Sequence, residues 1–258
     1  MPTFAPPQLI VSDIEGCISP AKGHPLELDS LARLQAYNRH SAASGLPPLT
    51  LCSGRPQPFV EAFAQMLAVR APCVCENGAL LFDPRADVWL LHPAITSGHL
   101  ERLAELKTRL ERDVAVLIPH RREPGKEVCI SLNPIAPPDE YADRIHGLYE
   151  ALSAYVDSEF FEMTHSASAV DITPKGIDKG AGVRFLSERM GVPLAAMLGI
   201  GDTRGDLPFL RLLGATAAPA NGQVELDEVI SYKAGRPSAG GVCEILAHFT
   251  AWSGRVSD

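Results

Sequence analysis

Three short apolar runs, each ending in a polar or acidic side chain, constrain the fold of this chain most strongly. The runs are QLIVSD at 8–13, LTLCS at 49–53 and AMLGIGD at 196–202. Short apolar runs that are followed by turns and helical patterns are typical of buried parallel strands in an α/β sheet. Ligands of such sheets bind beyond the carboxyl ends of the strands. We therefore expect Asp13, Ser53 and Asp202 to share one crevice.

Helical patterns connect these predicted strands. Apolar residues recur at helical spacing over 26–37 and over 59–67, which predicts amphipathic helices. A third helix is predicted over 180–190, because Gly191 and Pro193 form a normal helix stop. Strands that alternate with helices in this way indicate a parallel sheet.

The middle of the chain has a different pattern, because proline-rich joints separate its elements. Its predicted elements are amphipathic helices over 97–111 and 139–155 and strands over 114–118, 127–132 and 168–172. This mixture indicates a small α+β unit that is inserted into the α/β core.

The formal net charge of −8 bears on the class of partner. A nucleic-acid-binding protein usually carries a basic stripe, so we expect no nucleic-acid partner. No apolar run approaches the roughly 20 residues that span a bilayer, and the N-terminal residues lack the pattern of a secretory signal. We therefore expect a cytoplasmic protein with no membrane partner. The six cysteines lie mostly in apolar segments and are expected to be buried thiols.

Four clusters of reactive residues follow one another along the chain. They are DIEG at 13–16, CSGR at 52–55, KG at 179–180 and GDTRGD at 201–206. In order and placement they resemble the four motifs of the haloacid dehalogenase superfamily of phosphatases. The resemblance is to the subgroup whose large α+β cap, of type IIB, is inserted between the second and third motifs. Two further stretches strengthen it, CENGA at 75–79 and DITPKGIDKG at 171–180.

The resemblance covers nearly the whole chain and implies its organisation. It implies an α/β fold in which a Rossmann-like parallel-sheet core is formed by residues 1–83 and 172–258. The smaller α+β cap domain would be formed by residues 84–171. It also implies a Mg²⁺-dependent phosphoric monoester hydrolase whose partner is a small phosphorylated metabolite. The oligomeric state does not follow from the sequence.

The resemblance further implies a role for each acidic motif residue. Asp13 would attack phosphorus and form an aspartyl-phosphate, which divides hydrolysis into two easier steps. Asp13, the backbone carbonyl of Glu15 and Asp202 would hold Mg²⁺ through the hard oxygen ligands that this ion prefers. Asp206 would orient the ligands or a bound water from outside the coordination sphere.

The phosphoryl group would be held by a second set of residues. Ser53 and the N–H of Gly54 would bind its oxygens, and the backbone N–H groups of residues 14–16 would add to this cradle. Lys179 would neutralise charge on both Asp13 and the phosphoryl group. Positioning and electrostatics of this kind carry most of the catalysis in phosphoryl transfer.

Three positions depart from the pattern of the subgroup. Glu15 stands where the subgroup has an aspartate that serves as general acid and base, and its extra methylene moves the carboxyl group. Either Glu15 still transfers the proton, as in the enolase-phosphatases that share Asp-x-Glu-Gly, or it marks a slow or repurposed enzyme. Cys17 replaces a threonine, and Gly205 replaces an asparagine that often precedes the second acid of the fourth motif.

The cap would supply substrate specificity, because the core treats the phosphoryl group alike in all members. Arg121, Arg122 and Lys126 lie in one loop of the predicted cap and could meet a second anionic group, or they could form a solvated turn. Relatives with such caps act on small substrates, commonly sugar phosphates, so a sugar phosphate or a phosphorylated sugar acid is the predicted class. Two alternatives stay open: a phosphomutase of the same cap class, and a catalytically weak protein that binds a phosphorylated metabolite.

Overall fold

The computed structural model describes residues 6–20, 23–114, 118–166 and 168–252. Within these ranges the strands are β1 (Leu9–Ser12), β2 (Leu49–Leu51), β3 (Cys73–Cys75), β4 (Leu80–Asp83), β5 (Val88–Leu91), β6 (His120–Arg122), β7 (Ile130–Pro134), β8 (Phe161–His165), β9 (Val170–Pro174), β10 (Met197–Ile200), β11 (Ala215–Ala218) and β12 (Tyr232–Lys233). The helices are α1 (Leu28–Ser44), α2 (Gln57–Met66), α3 (Ser97–Arg109), α4 (Tyr141–Ser153), α5 (Lys179–Met190), α6 (Leu207–Leu210) and α7 (Ser238–Phe249).

A five-stranded parallel sheet forms the core, in the order β12-β11-β10-β1-β2. Every residue of β1 is buried, because the strand has neighbours on both sides and apolar side chains on both faces. The three strands that the apolar runs predict are β1, β2 and β10, and they are adjacent. The α/β class is thus confirmed, and the carboxyl ends of these strands lie side by side.

Helix α5 packs against this sheet and begins at the edge where the carboxyl ends of the strands lie. The side chain of Asp178 caps it by accepting the N–H of Ala181 at 2.8 Å, and Gly191 ends it in a left-handed conformation with a φ of 65°. Val183 and Leu186 on its inner face belong to the same apolar cluster as strand β1. The first residue of the helix is therefore placed close to the end of β1.

Residues between the two halves of the core form a four-stranded antiparallel sheet in the order β6-β7-β9-β8. Helices α3 and α4 cover this sheet, and the three elements share a separate apolar cluster. A smaller antiparallel sheet, β3-β4-β5, precedes them in the chain. Strand β9 runs through the predicted boundary between residues 171 and 172, so the division into two domains stays a prediction. No helix in the described part of the chain is long and apolar enough to cross a membrane.

Two strands that are predicted for the middle of the chain differ from their predicted positions. Of the strand predicted over 114–118, Val114 ends a π-helical turn, residues 115–117 lie outside the described residues, and the next strand begins at His120. The strand predicted over 127–132 begins only at Ile130. The reason is that the N–H groups of residues 127–129 donate to the carboxylate of Glu76 instead of to a neighbouring strand.

Candidate active site

Polar residues collect at the carboxyl edge of the parallel sheet. Asp13 directly follows β1, Ser53 follows the end of the neighbouring strand β2, and Asp202 follows β10 on the other side. All three are buried, with exposed fractions of 6%, 0% and 8%. The structure therefore brings together the three residues that the apolar runs single out.

Lys179 reaches this edge from the first turn of α5. Its Nζ lies 2.9 Å from Asp13 Oδ1 and 2.6 Å from Asp206 Oδ1. Burial acts to lower the pKa of Lys179, but the two carboxylates outweigh burial and hold this pKa well above its usual value. The lysine is therefore a permanent positive charge beside Asp13.

Asp206 is completely buried and uses both carboxylate oxygens within the protein. Oδ1 accepts from Lys179, and Oδ2 accepts the backbone N–H groups of Asp202 and Thr203, each at 2.9 Å. These bonds orient the lysine and the loop that carries Asp202. The geometry suits a residue that positions the site, in line with its predicted role.

Three carboxylates form a cluster that could hold a cation. One oxygen each from Asp13, Asp202 and Asp206 lie within 4.8 Å of one another. Burial raises the pKa of Asp13 to about 8 although Lys179 opposes the rise, and burial together with Asp206 raises the pKa of Asp202 to about 7. Within the described residues, the buried Asp202 Oδ1 has no hydrogen-bond partner. An oxygen of this kind fits a hard cation such as Mg²⁺.

These raised pKa values predict how stability changes with pH in the absence of a cation. Both carboxyl groups release their protons at higher pH in the folded than in the unfolded chain, where they titrate near about 4. Stability is therefore present at low pH and is lost as the pH rises through about 7 and about 8. Bound Mg²⁺ requires the charged carboxylates, and it should restore the lost stability.

We accordingly expect Mg²⁺ to raise the melting temperature more near pH 8 than near about pH 5. At roughly a hundredfold excess over its Kd, the ion would add about 2.7 kcal/mol. Differential scanning calorimetry with Mg²⁺, and with a chelator, measures the two shifts. Shifts of equal size at both pH values would contradict a cation bound by Asp13 and Asp202.

The tight turn after Asp13 explains why residue 16 is a glycine and how Asp202 is supported without the asparagine of the family pattern. Gly16 has a φ of +79°, and a Cβ at this position would lie 1.8 Å from Asp202 Oδ2, so no other residue fits. Asn221 Nδ2 donates to Gly16 O at 2.9 Å and approaches Asp202 Oδ2 at 3.4 Å. An amide thus supports Asp202 although Gly205 replaces the asparagine of the fourth motif. Cys17 is fully buried in this region.

The phosphate cradle stays a prediction, and the surroundings of two of its glycines can be described. A Cβ at Gly54 would lie 2.6 Å from Asn77 Oδ1, so the chain passes closely at this point. The N–H of Gly16 donates to the Ser19 carbonyl at 2.7 Å and is therefore not free to bind phosphate.

Both carboxylate oxygens of Glu15 accept hydrogen bonds from Arg55, a residue with no predicted role. Arg55 donates from Nε and Nη2 to the two oxygens of Glu15, and from Nη1 to Glu123. Its guanidinium lies 4.8 Å from the centroid of the Phe59 ring. Arg55 follows the Ser-Gly pair of the second motif, but Glu15 and Glu123 lie 40 and 68 positions away, so sequence spacing offers no sign of these contacts.

The three cations that are predicted to lie in the cap do not form one cluster. Arg121 and Arg122 are neighbours on β6, so their side chains point to opposite faces of the strand. Arg122 pairs with Glu111 at 3.0 Å. Lys126 is buried and lies 3.3 Å from Asp171 Oδ1 and 3.6 Å from Glu123 Oε2. Their predicted contact with a second anionic group of the substrate stays a prediction.

Comparison with known proteins agrees with this arrangement. Residues 33–122 and 130–246 match the family model described as haloacid dehalogenase-like hydrolase. The phosphoglycolate phosphatase of Methanothermobacter thermautotrophicus is 25% identical over 246 residues, which cover 94% of this chain and 99% of that protein. The phosphoglycolate phosphatase of Methanothrix thermoacetophila is 33% identical over 104 residues, which cover 40% of this chain and 47% of that protein.

Solved structures show the same fold. Protein 0175 of Thermoplasma acidophilum aligns with a TM-score of 0.71 at 20% identity, over 95% of this chain and 99% of that chain. The sucrose-phosphatase of Synechocystis, in complex with sucrose and phosphate, aligns with a TM-score of 0.62 at 18% identity, over 94% and 98% of the two chains. At these identities the likeness concerns the fold alone.

Proposed function

The chain belongs to the haloacid dehalogenase-like hydrolases and is a phosphoric monoester hydrolase, and from this premise we propose that Asp13 attacks the phosphorus of a small phosphorylated metabolite with Mg²⁺ bound beside it. The observation that carries the proposal is the pairing of Asp13 Oδ1 with Lys179 Nζ at 2.9 Å, within a cluster of three buried carboxylates. Lys179 opposes the charge repulsion that an anionic nucleophile would meet at a phosphate ester.

The residues present fit the cation. Asp13, the backbone carbonyl of Glu15 and Asp202 would hold Mg²⁺, and the unpaired Asp202 Oδ1 supports this assignment. When bound, the ion polarises phosphoryl oxygens and offsets the negative charge of the cluster. Asp206 keeps Lys179 and the Asp202 loop in place through the hydrogen bonds of its carboxylate.

The chain's own residues divide the reaction into two steps. An oxygen of Asp13 forms a bond to phosphorus as the bond to the leaving alcohol breaks, which yields an aspartyl-phosphate. Water then attacks this phosphorus and releases inorganic phosphate and free Asp13. Ser53 and the N–H of Gly54 would hold phosphoryl oxygens, while Lys179 balances their charge throughout.

Glu15 is the proposed proton donor to the leaving alcohol and the base for water in the second step, roles that require Arg55 to release one of the two Glu15 oxygens. Glu15→Gln should therefore lower kcat by about 10²- to 10⁴-fold for alkyl phosphates, which have poor leaving groups. The loss should be much smaller for p-nitrophenyl phosphate, whose leaving group departs without a proton. Steady-state assays on both esters measure the difference, and an equal loss on the two would show that another group donates the proton.

The substrate is proposed to be a sugar phosphate or a phosphorylated sugar acid. Curated relatives carry the name phosphoglycolate phosphatase, and a fold neighbour is a sucrose-phosphatase. Both names describe small phosphorylated compounds, with and without a carboxylate. The site supports a small ligand, because its carboxylates and Ser53 are almost fully buried.

A screen of phosphate release tests the proposed function. Phosphorylated sugars, sugar acids and nucleotides are assayed with Mg²⁺ and with a chelator, and the products are analysed by NMR. We expect phosphate release when Mg²⁺ is present and none when the chelator is present. Isomerised sugar phosphate without release would indicate a phosphomutase, and tight binding without turnover would indicate a binding protein. Either result would contradict the proposed phosphatase function.

A further inference from the structure

A chain of alternating charges runs from the candidate site into the four-stranded antiparallel sheet. Arg55 donates from Nε to Glu15 Oε2 at 2.9 Å and from Nη1 to Glu123. Lys126 Nζ lies 3.6 Å from Glu123 Oε2 and 3.3 Å from Asp171 Oδ1. Glu123 is thus bound between two cations, and these two cations are shared by three carboxylates.

The middle of this chain of charges is shielded from water. The side chains of Arg55 and Glu123 are each 14% exposed, and that of Lys126 is 4% exposed. Dissolved salt screens buried charges much less than exposed ones. A further charge that enters this region therefore interacts strongly with the charges already there.

Arg55 links the residue proposed to bind phosphate to the residue proposed to donate the proton. It follows Ser53 by two residues, and its backbone N–H donates to Ser53 Oγ at 3.2 Å. The same guanidinium contacts both oxygens of Glu15, the proposed proton donor to the leaving group. A substrate whose phosphoryl group is bound at Ser53 and whose leaving group meets Glu15 would therefore have Arg55 and Glu123 as neighbours.

The core holds the loop that carries Glu123. The fully buried carboxylate of Glu76 accepts the N–H groups of residues 127, 128 and 129 at 2.8, 3.0 and 2.9 Å. Hydrogen bonds from several N–H groups to one carboxylate are strong and directional. The chain is thus anchored to the core from four residues beyond Glu123.

We propose that Glu123 makes this site selective for phosphate esters whose leaving group is an uncharged alcohol, which narrows the proposed substrate class from sugar acids to sugar phosphates. This inference rests on the proposed phosphatase function. Glu123 occupies the position between Arg55 and Lys126 that a carboxylate of the substrate would need. A carboxylated leaving group has to displace Glu123 or lie beside it, and like charges in such proximity are strongly unfavourable. A hydroxyl group at the same place can instead donate a hydrogen bond to Glu123.

Two esters of almost the same size test this selectivity. Phosphoglycolate and hydroxyethyl phosphate differ in that a carboxylate replaces a hydroxymethyl group. With Mg²⁺ present, we expect kcat/KM of the wild-type protein to favour hydroxyethyl phosphate by about tenfold or more. Where an ester reacts too slowly, its inhibition constant against p-nitrophenyl phosphate hydrolysis replaces kcat/KM.

Glu123→Gln should shift the ratio of the two kcat/KM values toward phosphoglycolate by about tenfold or more, because it removes the resident charge and leaves Arg55 and Lys126 with one carboxylate partner each, Glu15 and Asp171. The ratio separates selectivity from stability, since a merely destabilised protein loses both activities together. Glu127→Gln is the matched control. It makes the same change of charge four residues further on, at an exposed side chain, and should leave the ratio unchanged.

The outcomes distinguish this inference from the proposed function. A wild-type protein that prefers phosphoglycolate, or a Glu123→Gln variant with the wild-type ratio, overturns the role of Glu123 and leaves the phosphatase intact. Absence of Mg²⁺-dependent release from all three esters overturns both.

Discussion

Asp13→Asn is expected to lower kcat by about 10⁴-fold or more, the scale of loss on removing a catalytic nucleophile. Asparagine has the shape of aspartate but lacks the charged oxygen that would form the bond to phosphorus. Stability should not account for the loss. Burial raises the pKa of Asp13 to about 8, so its charged form is costly to bury, and Lys179 keeps its bond to Asp206 in the variant.

The covalent step can be measured directly. Wild-type protein that is mixed with a labelled phosphate ester and quenched in acid should carry label on Asp13, and hydroxylamine should release it, as an acyl phosphate requires. The Asp13→Asn variant should carry none. Thermal unfolding of the variant in chelator serves as the control for folding. Enzymatic release of inorganic phosphate by the Asp13→Asn variant would exclude Asp13 as the nucleophile.

Lys179→Met is expected to have the second largest effect, on activity and on stability together. Turnover should fall by about 10²- to 10³-fold, because a preorganised charge at the phosphoryl group is lost. In chelator the free energy of unfolding should fall by about 3–5 kcal/mol, since Asp13 and Asp206 lose their buried partner. Urea unfolding measures this change, and added Mg²⁺ should recover part of it by neutralising Asp13.

The pH dependence and a control variant identify the cause. Lys179 favours the charged form of Asp13, so the destabilisation should be largest at high pH and should shrink as Asp13 takes up a proton below about pH 8. Lys175→Met removes the same charge four residues earlier, at an exposed position, and should change stability by less than about 0.5 kcal/mol. A loss of equal size in both variants would point to general effects of removing a lysine.

Much of the fold can be predicted from local pattern. The apolar runs that end in Asp13, Ser53 and Asp202 predict three parallel strands, and the structure places these strands next to one another. The helix stop at Gly191 is also local. Prediction failed at residues 127–129, because their N–H groups bond to Glu76, which is more than 50 positions away. An apolar run does not reveal that its backbone has such a partner.

The sequence by itself determined the class of the fold, the family and the residues at the strand ends. The physical reason is that burial periodicity and turn residues depend on near neighbours in the chain. Each motif is likewise a short run of adjacent residues, and the order of the motifs is visible in the sequence itself. Only the tertiary structure decided the surroundings of Glu15. Arg55 joins it to Glu123 across 40 and 68 positions, and Lys126 is neutralised by Glu123 and Asp171. Contacts of this kind depend on how the chain folds back on itself, and no local pattern encodes them.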